Sequence, residues 1–225
     1  MEYFIYMTND CNLYCEYCSV LLDCKKNNIP IEPNYLWSEL KKFIIKVQKE
    51  TNDSEAIIYF FGGEPSLCYN QILELINTIG NKIDTINVKY VLHTNGLLLN
   101  KISNEIANNL RLVMHSLNYE KFPKYNLKNS YFEKFLNGLF YFRTLSSAEV
   151  IARLTITEKT SLYTEVVQIA HFYDFVYWQI ENCIEFKDYN TFYSTYTYEL
   201  QLLFNYWMRY LRQGILINLV PFLAA

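Results

Sequence analysis

With 225 residues, 51% of them hydrophobic, and a formal net charge of −3, the chain can build one sizeable core. It is short of the ~250 residues typical of a closed eight-unit α/β barrel. A slightly acidic chain without a basic run argues against nucleic-acid binding through phosphate contacts. The start, MEYFIYMTND, lacks the basic n-region of a signal peptide. The longest apolar run, ILINLVPFLAA at 215–225, is broken by Asn218 and Pro221. It falls below the ~20 residues of a membrane helix. A soluble, cytoplasmic protein is expected, in which six cysteines serve metal binding or catalysis rather than disulfides. The 21 tyrosines and 15 phenylalanines read as core fillers of a compositionally biased chain.

Short apolar runs alternate with amphipathic stretches from one end to the other. EYFIYMT reads as a first strand, and the spacing of Leu36, Leu40, Phe43, Ile44 and Val47 predicts a helix opened by Pro33 and Asn34. AIIYFF (56–61) is a second strand ending at Gly62-Gly63. Pro65 suits the first turn of a helix that carries Leu67, Ile72, Leu75, Ile76 and Ile79 and stops at Gly80. VKYVLHT (88–94) is the third strand, followed by a short helix from Ile102 to Leu110, and RLVMHSL (111–117) is the fourth. A helix over 131–142, a fifth strand over 150–157, a helix from Leu162 to Phe172 and a sixth strand over 175–181 continue the pattern. A last helix is expected from Tyr196 to Arg212, near Gly214. Buried-type strands alternating with helices predict an α/β fold with parallel strands, a partial (β/α)6 TIM-like barrel over 1–214. The apolar segment 215–225 would follow it, as the start of a missing extension in a truncated or shortened protein.

The unusual residues gather at one edge of this scheme. Cys11–Cys18, Gly62-Gly63-Glu64, His93-Thr94-Asn95, Ser116–Asn118 and Glu181 all fall at or just after the C-terminal ends of predicted strands. In parallel α/β folds that rim is where ligands bind. Within it, TNDCNLYCEYCSV places Cys11, Cys15 and Cys18 in eight residues, with no fourth thiol at matching spacing. Thiolates select zinc or iron–sulfur clusters. Structural zinc asks for four ligands, and His93, on the same rim, could supply the fourth. A [4Fe–4S] cube wrapped by one short loop needs only three protein thiolates and leaves one iron for another ligand. Both readings stand on the residues alone, the cube being the better match.

CNLYCEYC, with an aromatic residue before its third cysteine, resembles the three-cysteine motif of the radical SAM superfamily. FGGEPSL (61–67) resembles that family's Gly-Gly-Glu-Pro motif, HTNGLLL (93–99) its T-N-G segment, and HSLN (115–118) its Ser-Leu-Asp, with Asn118 in place of Asp. The resemblance implies that Cys11, Cys15 and Cys18 hold three irons of a [4Fe–4S] cluster and that S-adenosylmethionine (SAM) binds the fourth. Reductive cleavage of SAM would then give a 5′-deoxyadenosyl radical that takes hydrogen from a substrate. It implies that Gly62, Gly63 and Glu64 meet the methionine amino group and that Tyr17 lies near the adenine. Ser116 and Asn118 would bond the ribose or carboxylate, and Thr94 and Asn95 would complete the pocket. By charge alone, Arg153 is a partner for that carboxylate or else an exterior salt-bridge residue. An electron donor such as flavodoxin or ferredoxin would be a partner.

The look of the motifs is similar to the peptide- and protein-modifying, SPASM- or twitch-type branch, without its cysteine-rich C-terminal extension. A peptide or protein substrate is therefore expected. The alternatives are a radical SAM enzyme for a small metabolite, a glycyl-radical activase, or a non-catalytic metal- or SAM-binding module. Cys68 and Cys183 read as small buried hydrophobes, Cys24 as a free thiol, and His93, His115 and His171 as hydrogen-bonded structural residues.

Overall fold

The computed structural model describes residues 1–13, 15, 18, 34–117, 128–181 and 186–223. Tyr17, Cys24, Asn118 and Cys183 lie outside the described residues. The chain forms two compact units, Met1–Met114 with Leu127–Glu149, and His115–Asn126 with Val150–Ala225.

In the first unit the strand order is β1 (Glu2–Thr8), β2 (Glu55–Gly62), β4 (Ile86–Thr94), β5 (Leu110–Leu117, through Met114). β1 pairs parallel with β2, and β2 with β4, in registers that set Phe4 beside Tyr59, Tyr6 beside Phe61 and Tyr59 beside Val91. β3 (Lys82–Ile83) is a two-residue antiparallel addition to β4 that the hydrophobic pattern did not predict. Asp84, at φ 53°, makes the tight turn between them.

Period-two alternation decides which face is buried. Tyr3, Met7, Ala56, Ile58, Phe60, Val88, Tyr90 and Leu92 are buried on one side. There Tyr3 meets Phe43 of helix α1 (Trp37–Thr51) edge-on, and Phe60 stacks on Tyr90 at 5.7 Å. A 3-10 turn, Pro65–Cys68, precedes α2 (Tyr69–Ile79), so the helix starts later than Pro65 suggested. Glu64 caps that turn through its side chain, which makes a tight bend more favourable there than an immediate α-helix. α1 likewise begins at Trp37 rather than at Asn34. After α3 (Asn104–Asn109), capped by Ser103, α4 (Lys128–Leu145) packs on the 3-10 turn Leu99–Lys101.

The second unit orders the end of β5, β6 (Glu149–Ile156, from Val150) and β7 (Phe175–Ile180), with β6 and β7 parallel. α5 (Leu162–Ile169) packs against α6 (Tyr189–Leu211). α6 starts two turns before the expected Tyr196 because Asp188 caps it, accepting from Thr191 N–H at 3.1 Å. The apolar segment near the C-terminus runs along β7: Val176 N–H donates to Asn218 O (2.9 Å) and Leu219 is fully buried. It ends in α7 (Val220–Leu223). The parallel α/β class expected from the sequence is the class observed. No helix among the described residues is long and apolar enough to cross a membrane.

Candidate cluster and cofactor site

The site is built where the chain leaving β1 runs against the chain leaving β2. Strand pairing continues past both strand ends, because Gly63 N–H donates to Thr8 O (2.7 Å) and Glu64 N–H to Asp10 O (2.8 Å). The approach is so close that only glycine fits. A Cβ on Gly62 would collide with Thr8 O, and one on Gly63 with Asp10 O and the Asn9 backbone. Gly62 also sits at φ 122°, a conformation other residues avoid. The two glycines therefore press the start of the cysteine loop against the rim.

Glu64 ties this corner to the end of β4. Its carboxylate is 1% exposed and accepts from Ser66 N–H (3.0 Å), Thr94 Oγ1 (2.7 Å) and Asn95 N–H (2.7 Å). Thr94 Oγ1 accepts in turn from Gly96 N–H at 3.0 Å, which commits its proton to Glu64. Burial raises the Glu64 carboxyl above its ordinary value, and bonds from Ser66, Thr94 and Asn95 pull it partly back. Among the described residues no ion pair reaches it.

Cys11, Cys15 and Cys18 are half-buried thiols, none of them in a disulfide. Cys18 N–H donates to Cys15 O (3.2 Å). The Cys11 thiol is pushed up to about 12, chiefly by burial; Leu13 N–H lowers it, and nearby Glu64, Cys15 and Cys18 raise it further. Thiolates crowded together in a half-buried loop are unfavourable unless a cationic centre offsets their charge. That donor chemistry fits an iron–sulfur cube, whose thiolates each bind a different iron. Among the described residues no three His, Cys, Asp or Glu side chains converge as they would on one metal ion.

Of the residues expected at the site, the first unit thus holds Cys11, Cys15, Cys18, Gly62, Gly63, Glu64, Thr94 and Asn95. Ser116 and Arg153 belong to the second unit, where Ser116 is half-buried on β5 and Arg153 Nη2 donates to Gln179 Oε1 of β7 (2.8 Å). Tyr17 and Asn118, also expected at the site, lie outside the described residues. Glu181 N–H donates to Ile156 O (2.9 Å), extending the β6–β7 pairing by one residue. His115, fully buried, is bonded to Tyr173 Oη (2.8 Å), and His171 to Tyr206 Oη (2.9 Å), the structural roles expected of them. Cys68 is only half-buried, its Sγ 3.8 Å from Met7 O.

Sequence reasoning missed an aromatic surface beside the rim. Phe4, Tyr6, Tyr59, Phe61 and His93 share the sheet face opposite the buried one. Phe4 stacks on Tyr59 (4.5 Å), and Phe61 meets Tyr6 and His93 edge-on at 5.2 Å. Phe4 is 51% and Tyr6 39% exposed, so these aromatics are not the core fillers that composition suggested. Their signal was present as alternation: Phe4 and Tyr6 occupy the positions between Tyr3, Ile5 and Met7.

Fold and site together define a parallel α/β protein with three half-buried cysteines just past its first strand, on the strand-end rim. The profile of the Radical SAM superfamily matches residues 5–156, and the chain belongs to that superfamily. Its members use a [4Fe–4S] cluster and SAM. The radical SAM cyclopropyl synthase TigE of Paramaledivibacter caminithermalis is 31% identical over 104 residues, 41% of this chain and 21% of TigE. The uncharacterized protein MJ0907 of Methanocaldococcus jannaschii is 30% identical over 101 residues, 44% of this chain and 32% of that protein. Native anSMEcpe with bound AdoMet superimposes with a TM-score of 0.71 at 19% identity, covering 98% of this chain and 64% of its own. The form with AdoMet and the Kp18Cys peptide gives 0.70 at 18% identity, covering 97% and 63%. The matched regions thus span less than two thirds of each of these proteins.

Proposed function

We propose that the chain is a radical SAM catalyst acting on a peptide or protein side chain. The observation that carries this reading is the chain entering the three-cysteine segment, held at Thr8 and Asp10 against Gly62-Gly63 and tied to the end of β4 through Glu64. Cys11, Cys15 and Cys18 would hold the cluster. Bound together, cluster and SAM supply reductive cleavage of the sulfonium to methionine and a 5′-deoxyadenosyl radical. The protein's part is positioning. The two glycines bring main chain close enough to line the methionine end, and buried Glu64 offers negative charge to the amino group there. Thr94 and Asn95 hold that carboxylate in place. The aromatic face of Phe4, Tyr6, Phe61 and His93 keeps water from the neighbouring space and presents an apolar wall to a substrate.

A peptide substrate is favoured by the solved neighbours: anSMEcpe carries AdoMet together with the Kp18Cys or the Cp18Cys peptide. Anaerobic reconstitution tests the reading. The protein should take up about four irons with matching sulfide, and with dithionite and SAM it should release 5′-deoxyadenosine. Cys15→Ala should abolish both. One tightly bound zinc, no sulfide and no deoxyadenosine would sink it. A peptide encoded by a neighbouring gene should accelerate deoxyadenosine release and emerge altered in mass. Acceleration by a small metabolite alone would move the substrate class.

A further inference from the structure

The loop closing β4 does more than support Glu64. Asn95 is held at both ends: its N–H donates to Glu64 Oε2 (2.7 Å), and its side-chain Oδ1 accepts from Leu97 N–H (3.1 Å). A backbone N–H can only donate, so the amide orientation is fixed, with oxygen toward Leu97 and nitrogen away. That nitrogen donates to Asn12 Oδ1 (2.7 Å) and lies 4.0 Å from Cys11 Sγ, long but within reach of a sulfur acceptor. Leu13 N–H approaches the same sulfur at 3.4 Å. Asn95 is 8% exposed, so water competes little for these contacts.

We infer that Asn95 is a positioning residue for the cluster's electron uptake: its amide, aimed at Cys11 Sγ by Leu97 and Glu64, raises the cluster's reduction potential. The inference rests on the iron–sulfur reading of the three cysteines. Its physical basis is general. Reduction adds negative charge that ligand sulfurs share, so a donor at the sulfur stabilises the reduced state more than the oxidised one. Asn12 has a second part in the arrangement. By accepting from Asn95 it keeps the cysteine loop registered against β4, which no glycine contact does from that side.

The test is an anaerobic redox titration of the reconstituted full chain without SAM, followed by the EPR signal of the reduced cluster. Asn95→Asp keeps an oxygen for Leu97 N–H. It also lets the Asn12 amide turn and donate to the new carboxylate, so the loop contacts survive while the donor at sulfur is lost. The variant should bind iron and sulfide as the parent does. At a fixed potential near the parent's midpoint its reduced-to-oxidised ratio should fall at least tenfold, a shift of about 59 mV for a one-electron couple. Asn95→Ala, which removes the amide donor without adding charge, should shift in the same direction by less. Unchanged midpoints at full iron content would overturn the inference and leave the cluster reading intact. Loss of the cluster in both variants would also overturn it, assigning Asn95 to holding the loop alone. A parent chain that assembles no cluster would instead remove the reading on which it rests.

Discussion

Gly63→Ala is the sharpest probe of how the rim is built. The added Cβ would overlap Asp10 O, Asp10 C and Asn9 C, all of them main-chain atoms that cannot rotate away. Relief requires the chain leaving β1 to move off the chain leaving β2. That separation strains or breaks Gly63 N–H to Thr8 O and Glu64 N–H to Asp10 O. Overpacking of this kind costs about 1–3 kcal/mol, and each lost backbone bond about 0.5–1.5 kcal/mol. The total is about 2–6 kcal/mol, a large share of the ~5–15 kcal/mol that holds a typical domain folded. Gly214→Ala is the control. That glycine has φ 76°, but an added methyl there would meet nothing within 4 Å, so only backbone strain remains, of about 1–2 kcal/mol. Urea unfolding of the cluster-free protein followed by far-UV circular dichroism, with iron content after reconstitution, reads both effects. Gly63→Ala should lose stability and iron together, whereas Gly214→Ala should keep its iron. A Gly63→Ala protein within about 1 kcal/mol of the parent and with full iron would refute the close-approach argument, since it lies below the strain expected for overpacking.

Three further outcomes follow from the same contacts. The folded-state carboxyl of Glu64 is raised by burial, so the folded protein holds that proton to higher pH than the unfolded chain does. Its stabilising contribution is present below the ordinary carboxyl range and lost as pH rises through the raised value, at up to about 1.4 kcal/mol per pH unit. The unfolding free energy of cluster-free Glu64→Gln should therefore fall less steeply than the parent's as pH rises above the ordinary carboxyl range; parallel curves would count against a buried, raised Glu64. Tyr173→Phe removes the hydroxyl 2.8 Å from fully buried His115 Nδ1. It should cost about 1–3 kcal/mol in chemical denaturation, and a neutral result would mean that the pair contributes nothing net. Phe61→Gln should leave iron content and unreduced-cluster absorbance unchanged, because Phe61 bonds no cysteine. If the aromatic face meets substrate, it should instead weaken the acceleration of deoxyadenosine release by peptide; equal acceleration would remove Phe61 from that face.

Six strands were legible because each carries a largely apolar run, and the motifs were legible because they sit at strand ends. What stayed hidden were features that depend on side-chain direction or on two segments meeting. Continuous apolar strands do not reveal which alternate residues face the helices, so Phe4 and Tyr6 passed for core although they are exposed. The early start of α6 was masked by its Tyr- and Thr-rich first turns, which are weak helix formers until Asp188 caps them. The β3–β4 hairpin is too short for any periodicity to announce.

The glycines show the same boundary from the other side. Gly62-Gly63 suggests a ligand-facing turn when read along the chain, and family resemblance assigns it to the methionine end of SAM. In the folded protein a nearer cause acts on both residues: the chain entering the cysteine loop passes through the space their side chains would fill. The two causes make different demands. A ligand alone would tolerate Ala at one position with a loss of affinity and unchanged folding. The chain crossing does not, because its neighbours are Thr8 O and Asp10 O, which the loop itself supplies. Stability of the cluster-free protein therefore separates them. A loss there in Gly63→Ala, whose backbone lacks the positive φ of Gly62, places the first role of the motif in shaping the cysteine loop before any iron or SAM is added. Cofactor contact is then a consequence of where that loop is held.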